Sequence, residues 1–529
     1  MTAGAEEIVP ARPRRLAVST AIFALATGLS RILGLIREIV ASYYFGASGR
    51  INAFTVAFQV PNLVRALVAD AALSSAFVPV FSELLERGER KRAWRVASSL
   101  FWLMLLGLTA LTALFVVAAP LIIRPFGDPG GDRALAVGLS RVLFPIVALL
   151  GVSGIVVGIL NSYDHFSVPA LTPVFWNLTI IAGLAIGVPQ AHSIDTKLYV
   201  YAVSILVATF VQVLLPVPWL RGRDDRLHLV IDWHDPAVKQ VLVLMVPVTL
   251  SLGLINFNAV IDSLFASRLI NGSLAPTAID RAFRIYMLPQ GMFSVAIATV
   301  TFPALSRLAA RGDRDGFLQT VGLGLRHVAF LLIPASTASA VLAEPIVRLL
   351  YQRGQFTPAQ TPVVAAALAA FAAGLTFNGT MLILNRAFFS LQSNWVPTLV
   401  ALGNLALNAA LDGAFYRLGT WGIPLSTSLV NVAGTAALLW LLQRRVGRID
   451  VDRTLQVVVR VILASDALAG VSYGVWRGID VVLGRSLGAQ LFSLGTALTA
   501  GFAVYAVAAR ALGVGELDVL LSVVRRARR

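Results

Sequence analysis

The 529-residue sequence has no cysteine, few histidines and little charge. Without cysteine, disulfides, thiol catalysis and cysteine metal sites are excluded. The five histidines include no pair at the helical spacing of metal ligands. Charged residues make up 13% of the chain, whereas soluble globular proteins carry about 25%. These shortages argue against a soluble globular protein.

Apolar residues take the place of the missing charge. They form 57% of the chain, and the mean hydropathy is +0.79, which predicts a membrane protein. The net charge of +16 would suggest a nucleic-acid partner in a soluble protein. Here the basic residues cluster at short loops without an aromatic–basic platform, so we expect no nucleic-acid binding.

Fourteen stretches are long and apolar enough to be membrane spans, each of which needs about 20 residues. They are 17–45, 52–83, 95–123, 134–161, 168–189, 197–220, 236–269, 278–308, 315–343, 359–391, 395–416, 421–443, 454–477 and 486–513. The loops between them are short, so no sizeable extramembrane domain is expected to hold an enzyme. The sequence therefore predicts an all-α, polytopic membrane protein with fourteen transmembrane helices.

Basic residues occur on alternate loops of this topology. They lie at 12–15, 87–95, 221–226, 307–314 and 444–448 and in the C-terminal tail at 525–529. With an even number of spans these segments share one face, and an excess of Lys and Arg marks the cytoplasmic side. We expect a multi-pass protein of the bacterial cytoplasmic (inner) membrane with both termini in the cytoplasm.

The chain also repeats itself at a constant offset of 224 residues (303 − 79). Pro79, Gly88 and Asn161 recur as Pro303, Gly312 and Asn385. Because this offset contains six spans, the two copies run in the same direction across the membrane. We expect two six-helix lobes, 1–221 and 222–447, related by a pseudo-two-fold axis along the membrane normal. Helices 13 and 14 and the basic tail follow at 448–529.

Four arginines lie inside predicted spans: Arg31, Arg37, Arg65 and Arg284. A charge at the centre of a span costs about 2.5–3.5 kcal/mol, so such residues face a cavity or a partner. Guanidinium groups grip phosphate oxygens in pairs, which suits a diphosphate. Two alternatives stay open: Arg284 could snorkel to the headgroups, and Arg37 could pair with an acid such as Glu38.

A second polar group combines Asp262 of span 7 with Asn408 and Asp412 of span 11. The last two are four residues apart and share a helical face. With hydroxyl oxygens of span 12 nearby, these side chains would suit a hard monovalent cation, such as sodium, or a proton. The alternative is an inter-helix hydrogen-bond cluster that holds the C-lobe together.

Several motifs resemble the signature of the MurJ (MviN) lipid II flippase family, over nearly the whole chain. They are SRILGLIRE at 30–38, FGA at 45–47, NAF at 52–54, PNLVR at 61–65, SSAFVP at 74–79, ILN at 159–161, FSVP at 166–169, LP at 288–289 and YQRGQFT at 351–357. The family is part of the multidrug/oligosaccharidyl-lipid/polysaccharide exporter superfamily. The resemblance implies fourteen helices and a groove for a polyprenyl tail at helices 13 and 14.

The resemblance also implies roles for individual residues. The four arginines match cavity arginines thought to engage the pyrophosphate, and we add Asn62 of the PNLVR motif to the expected substrate-binding set. Asp262, Asn408 and Asp412 look similar to residues that bind sodium in some members. No catalytic residue and no other cofactor is expected.

The sequence departs from the family pattern at three positions. Asn52 stands where members usually have Asp. Phe283 and Met287 replace acids that some relatives have beside the arginine of the eighth span, which is Arg284 here. The arginines are present, so the resemblance supports substrate binding better than it supports a coupling mechanism.

The expected function is a non-enzymatic flippase that moves lipid II to the outer leaflet by alternating access, driven by membrane potential or a sodium gradient. Its expected partners are lipid II, membrane lipids and proteins of cell-wall synthesis or division. A flippase for another polyprenyl-diphosphate-linked oligosaccharide fits the arginines equally well. A membrane glycosyltransferase would need catalytic acids or a base in an extramembrane loop, and a transport-dead scaffold is weakly disfavoured by the arginines.

Overall fold

The computed structural model describes residues 13–68, 71–163, 165, 167–393 and 395–517, and their side chains except at 13–24, 66–68, 71–75, 246–248 and 250–255. Every regular element in these ranges is helical. Arg12 and the predicted basic tail at 525–529 lie outside the described residues. The all-α prediction is confirmed for the part of the chain that is described.

The described ranges form nineteen α-helices. The first nine are α1 (Pro13–Phe45), α2 (Ile51–Val68), α3 (Ala71–Glu86), α4 (Arg90–Ile123), α5 (Arg133–Leu143), α6 (Pro145–Ser162), α7 (Ser167–Gly187), α8 (Ile194–Leu214) and α9 (Pro236–Phe265). The others are α10 (Ala275–Pro289), α11 (Val295–Arg311), α12 (Arg314–Val341), α13 (Ala343–Tyr351), α14 (Thr361–Ala373), α15 (Leu375–Ser390), α16 (Trp395–Phe415), α17 (Gly422–Arg445), α18 (Val451–Leu483) and α19 (Leu487–Ala511). Two π-helical segments, Ala266–Asn271 and Gln290–Ser294, follow α9 and α10.

Ten helical segments of the described chain are long and apolar enough to cross a membrane. The pair α14 and α15, bent by 41° at Gly374, makes up to eleven. Large apolar side chains lie on their outer faces, among them Val300 and Val482, which are about four-fifths exposed. Such surfaces are rare on soluble proteins and match a lipid environment. The chain is a multi-pass membrane protein.

The helices form two compact units. Unit 1 comprises the described residues up to 41, 57–123 and 134–253. Its core contains an aromatic cluster: the Phe81 ring lies 5.1 Å from Phe77 and 6.3 Å from Trp94, centroid to centroid. At Gly158 of α6, an added Cβ would come within 2.6 Å of the Phe77 ring. A glycine here is what lets α3 and α6 pack closely.

Unit 2 comprises residues 42–56, 124–133 and 254–517. In it α18 and α19 pack together and against α12 through a buried apolar cluster that includes Val461 and Leu468. The Tyr505 hydroxyl of α19 donates to the Phe330 carbonyl of α12 at 2.6 Å. A buried ion pair between Arg348 of α13 and Asp480 adds a second link to α18.

Candidate functional site

Arg37 on α1 is buried and held from several sides within unit 1. Its Nη1 donates to Asn177 Oδ1 of α7 at 3.2 Å, and its Nη2 donates to Glu38 Oε1 at 2.5 Å. The guanidinium also lies 4.8 Å from the Trp176 ring centroid. This pairing with Glu38 supports the structural alternative for Arg37, because the neighbouring carboxylate neutralises its charge.

Arg31 lies six residues earlier on α1, about 9 Å along the helix axis. It is half-buried, and it makes no hydrogen bond or ion pair to any residue that the structure describes. Beside it, Asn177 Nδ2 donates to the Ser30 carbonyl at 3.3 Å and so fixes this turn of α1 against α7. A partly exposed guanidinium with unused donors is the kind of group that binds an anion.

Arg65 on α2 is oriented by Asn62, one turn earlier. Its Nε and Nη2 both donate to Asn62 Oδ1, at 3.1 and 3.0 Å. Both side chains are half-buried. Because one amide oxygen accepts from two of the guanidinium nitrogens, Asn62 fixes the orientation of the Arg65 fork.

Arg284 on α10 has a similar arrangement with an acid. Its Nε and Nη2 donate to the two carboxylate oxygens of Asp280, at 3.0 and 3.2 Å. The side chain stays about one-third exposed, so this pair is reachable from outside unit 2. Phe283 and Met287, the replacements for acids of some relatives, are partly exposed. An acid, Asp280, therefore does accompany Arg284 in this chain, one turn earlier on α10.

The arginines do not all lie in one unit. Arg31, Arg37 and Arg65 belong to unit 1, whereas Arg284 belongs to unit 2. Within unit 1, Arg31 and Arg37 project from the same helix near α7. A single cavity that contains all four stays a prediction.

The structure brings Asp262 of α9 together with Asn408 and Asp412 of α16. Asn408 Nδ2 donates to Asp262 Oδ1 at 2.7 Å and to Asp412 Oδ2 at 3.1 Å. Asn258 Nδ2 lies 3.4 Å from Asp262 Oδ2. Asn408 and Asp412 are completely buried, whereas Asp262 and Asn258 are partly exposed, so this polar cluster extends from the interior of unit 2 toward its surface.

Two buried oxygens in this cluster identify it as a fit for a cation. Asn408 Oδ1 and Asp412 Oδ1 have no hydrogen-bond partner within the described part of the chain. Buried polar atoms nearly always have a hydrogen-bond partner, so two buried oxygens without one, close to the Asp262 carboxylate, indicate a place where a cation could bind. Carboxylate and amide oxygens are the donors that hard cations prefer. Asp262, Asn408 and Asp412 therefore fit sodium.

Comparison with known proteins places the chain in a family. The family model described as lipid II flippase MurJ matches residues 41–483. This chain belongs to the MurJ family. A probable lipid II flippase MurJ of Vibrio cholerae is 31% identical over 80% of this chain and 82% of its own length.

Solved structures agree with membership of the MurJ family. A structure of lipid II flippase MurJ in an inward closed conformation matches with a TM-score of 0.76 and 25% identity, over 93% of this chain and 99% of that one. An inward-facing MATE transporter of the MOP superfamily matches with a TM-score of 0.67 and 18% identity, over 78% of this chain and 94% of that one. The second match shows a shared fold.

Asn52, where the resemblance to the family predicts an aspartate, lies in an environment of unit 2 that uses an amide. Its Nδ2 donates to the carbonyls of Ala47, Gly49 and Ser273 at 3.2, 3.0 and 2.7 Å. Its Oδ1 accepts from the Thr277 amide in the first turn of α10 at 2.9 Å. A carboxylate could cap α10 but could not donate to the carbonyls.

Sequence reasoning missed two residues of these sites, Asn177 and Asp280. Each positions an arginine that was singled out, and each is a polar residue within or beside a predicted span. That polarity was a usable signal, since polar groups at membrane depth seek partners. Asp280 also lies four residues before Arg284, a spacing that predicts an ion pair along a helix.

Proposed function

We propose that this chain moves lipid II, the lipid-linked peptidoglycan precursor, from the cytoplasmic to the outer leaflet of the bacterial inner membrane. The family match over residues 41–483 carries the proposal. Flipping requires no covalent chemistry, so the residues need only bind the diphosphate and then release it. Proteins of cell-wall synthesis or division are the proposed partners outside the membrane.

The proposed substrate site is built from arginines that lie within predicted spans. Arg31 offers the least compensated guanidinium, Arg65 is set by Asn62 and Arg284 by Asp280. Arg37 contributes mainly by holding α1 to α7. Charge-assisted bonds from these groups to phosphate oxygens are roughly twice as strong as neutral ones.

We further propose the architecture that this function requires. Helices lie at each of the fourteen predicted stretches, in support of fourteen spans. The basic loops support both termini in the cytoplasm. The lobes 1–221 and 222–447 would be related by the pseudo-two-fold axis and alternate in access. In segment 448–529, helices α18 and α19 would form the groove for the polyprenyl tail.

Sodium at Asp262, Asn408 and Asp412 is the proposed coupling ion, with a proton as the alternative. The cation would supply positive charge between two carboxylates that otherwise repel each other. Asn408 holds the two acids in place by donating to both. Moving one charge through 100 mV is worth about 2.3 kcal/mol, which gives transport a direction.

Rescue of a flippase-depleted bacterial strain tests the function. We expect Arg31→Ala to fail in rescue at normal protein levels, because it removes the guanidinium with no internal partner. Arg417→Ala is the matched control, since Arg417 is an exposed arginine at the end of α16. Full rescue by Arg31→Ala would count against the proposed site.

A further inference from the structure

A basic pocket lies in unit 2, far along the chain from the arginines discussed above. It encloses about 340 Å³ between α12, α18 and the segment that follows α19. Small-molecule sites begin at roughly this size. Arg326, Arg453 and Arg460 line it together with His327, and Glu516 supplies the single carboxylate of the lining.

The turn after α19 brings Glu516 into the pocket. Gly513 adopts a left-handed conformation with φ of 70°, which ends the helix and reverses the chain. The Val514 amide then donates to the Ala509 carbonyl at 2.9 Å. Val514 and Leu517 are buried in the cluster between α12, α18 and α19, so this segment is fixed by packing.

Arg326 and Glu516 form a buried ion pair on the pocket floor. Arg326 Nε donates to Glu516 Oε1 at 3.1 Å, and each side chain is about one-tenth exposed. Arg460 Nη1 donates to the Gly513 carbonyl at 3.2 Å. Within the described part of the chain, no carboxylate forms an ion pair with Arg453 or Arg460. One acid therefore faces three arginines, and the pocket carries an excess of positive charge.

The pocket opens beside apolar surface. Leu323 of α12 and Leu455 and Val459 of α18 are 43%, 57% and 47% exposed. Leu455 and Val459 lie within the same two turns of α18 as Arg453 and Arg460, so exposed apolar side chains occur at the level of the pocket. Guanidinium groups bordered by lipid-facing side chains are typical of headgroup depth.

We infer that this pocket binds a phosphoryl anion, presented by a phospholipid headgroup of the adjacent leaflet or by a soluble phosphate compound. The planar donors of Arg453 and Arg460 suit phosphate oxygens. The Glu516 carboxylate forms an ion pair with Arg326 and therefore competes with the anion for that guanidinium. None of the four arginines proposed to bind the substrate diphosphate lines this pocket.

Binding to the purified full-length protein in detergent tests this site. Native mass spectrometry would follow phosphatidylglycerol against diacylglycerol, which lacks the phosphate, and calorimetry would follow inorganic pyrophosphate. We expect R453Q/R460Q to bind phosphatidylglycerol about tenfold more weakly, because the charge-assisted bonds of two guanidinium groups are lost. R307Q/R311Q, which removes two exposed arginines at the end of α11, should bind as the parent does.

Glu516→Gln gives an opposite and independent readout. Removal of the competing carboxylate should tighten binding several-fold, a gain that misfolding cannot produce. If R453Q/R460Q and Glu516→Gln alter the binding of pyrophosphate but not of phosphatidylglycerol, the pocket is an anion site whose ligand is a soluble phosphate compound. The inference is overturned if both double variants lose binding equally, or if neither probe distinguishes R453Q/R460Q from the parent.

Discussion

At the residue scale, the arginines of the proposed substrate site differ in how their donors are used. Arg37 is buried against Glu38, Asn177 and Trp176, so it stabilises α1 more than it attracts an anion. Arg31 on the same helix makes no such contact with the described residues. Equal charges on one helix thus have different neighbours, and we expect different roles for that reason.

Asn62 is expected to act through Arg65 as a positioning residue. Asn62→Ala removes the acceptor of two guanidinium donors, and we expect lipid II to bind about tenfold more weakly. Binding to the purified protein measures this effect. In an Arg65→Ala background the same change should have no further effect. Additive losses in the double variant would show that Asn62 does not work through Arg65.

Sodium should stabilise the folded protein through Asp412. We expect a higher melting temperature in sodium chloride than in choline chloride of equal ionic strength, and no such difference in Asp412→Asn. A ligand at 100 times its Kd contributes about 2.7 kcal/mol. Asp466→Asn, an exposed acid of α18, is the matched control. Equal sodium responses in Asp412→Asn and the parent would contradict the site.

Some residue contacts were predictable and others were not. The spacing of Asn408 and Asp412 places them on one face of a helix, whatever the rest of the fold. The bond from Arg37 to Asn177 joins residues 140 positions apart, so it depends on which helices become neighbours. Asn52 shows the same limit, because the carbonyl of Ser273 that it reaches belongs to a distant segment.

At the scale of elements, Arg348 and Asp480 tie α13 to α18. Arg348 Nη1 donates to Asp480 Oδ2 at 3.1 Å, and Nη2 pairs with Oδ1. The Trp476 ring lies 5.7 Å from the guanidinium. Both charged residues are over nine-tenths buried, so this pair is sheltered from screening.

Loss of one partner from this pair should be costly. We expect Arg348→Met to destabilise the protein by about 3–5 kcal/mol, because it leaves the Asp480 carboxylate buried and unpaired. Chemical unfolding in detergent measures this. Arg477→Met, an exposed position on α18, should change stability by less than about 0.5 kcal/mol.

Replacement of both partners, R348M/D480L, should recover much of the lost stability, since no buried charge remains. Equal costs for Arg348→Met and Arg477→Met would show that the ion pair does not hold α13 to α18.

Hydropathy predicted where helices occur and missed where they break. The π-helical segment Gln290–Ser294 and the 41° bend at Gly374 lie inside predicted apolar stretches, and the π-helical segment Ala266–Asn271 overlaps the end of another. Hydrophobicity continues through such breaks, so a window average cannot detect them. The bend reflects tertiary packing: a Cβ at Gly374 would come within 2.6 Å of Ser428.

At the scale of the whole molecule, two predictions come from different physical sources. The membrane class comes from composition and is confirmed by at least ten apolar helices in the described chain. The relation between lobes comes from the repeat of 224 residues and stays a prediction. The membrane class can be predicted from composition because most residues of the chain contribute to it. The geometry of the lobes depends on contacts between distant segments, which no local sequence pattern specifies.

Flipping in proteoliposomes tests the central claim most directly. Purified protein would be reconstituted with lipid II or with another polyprenyl-diphosphate-linked oligosaccharide, and headgroup exposure on the opposite face would be followed under a sodium gradient. We predict that the parent and Arg417→Ala move lipid II well above protein-free liposomes, and that Arg31→Ala does not. Movement of the other glycolipid in place of lipid II, or equal lipid II movement by Arg31→Ala, would contradict the account.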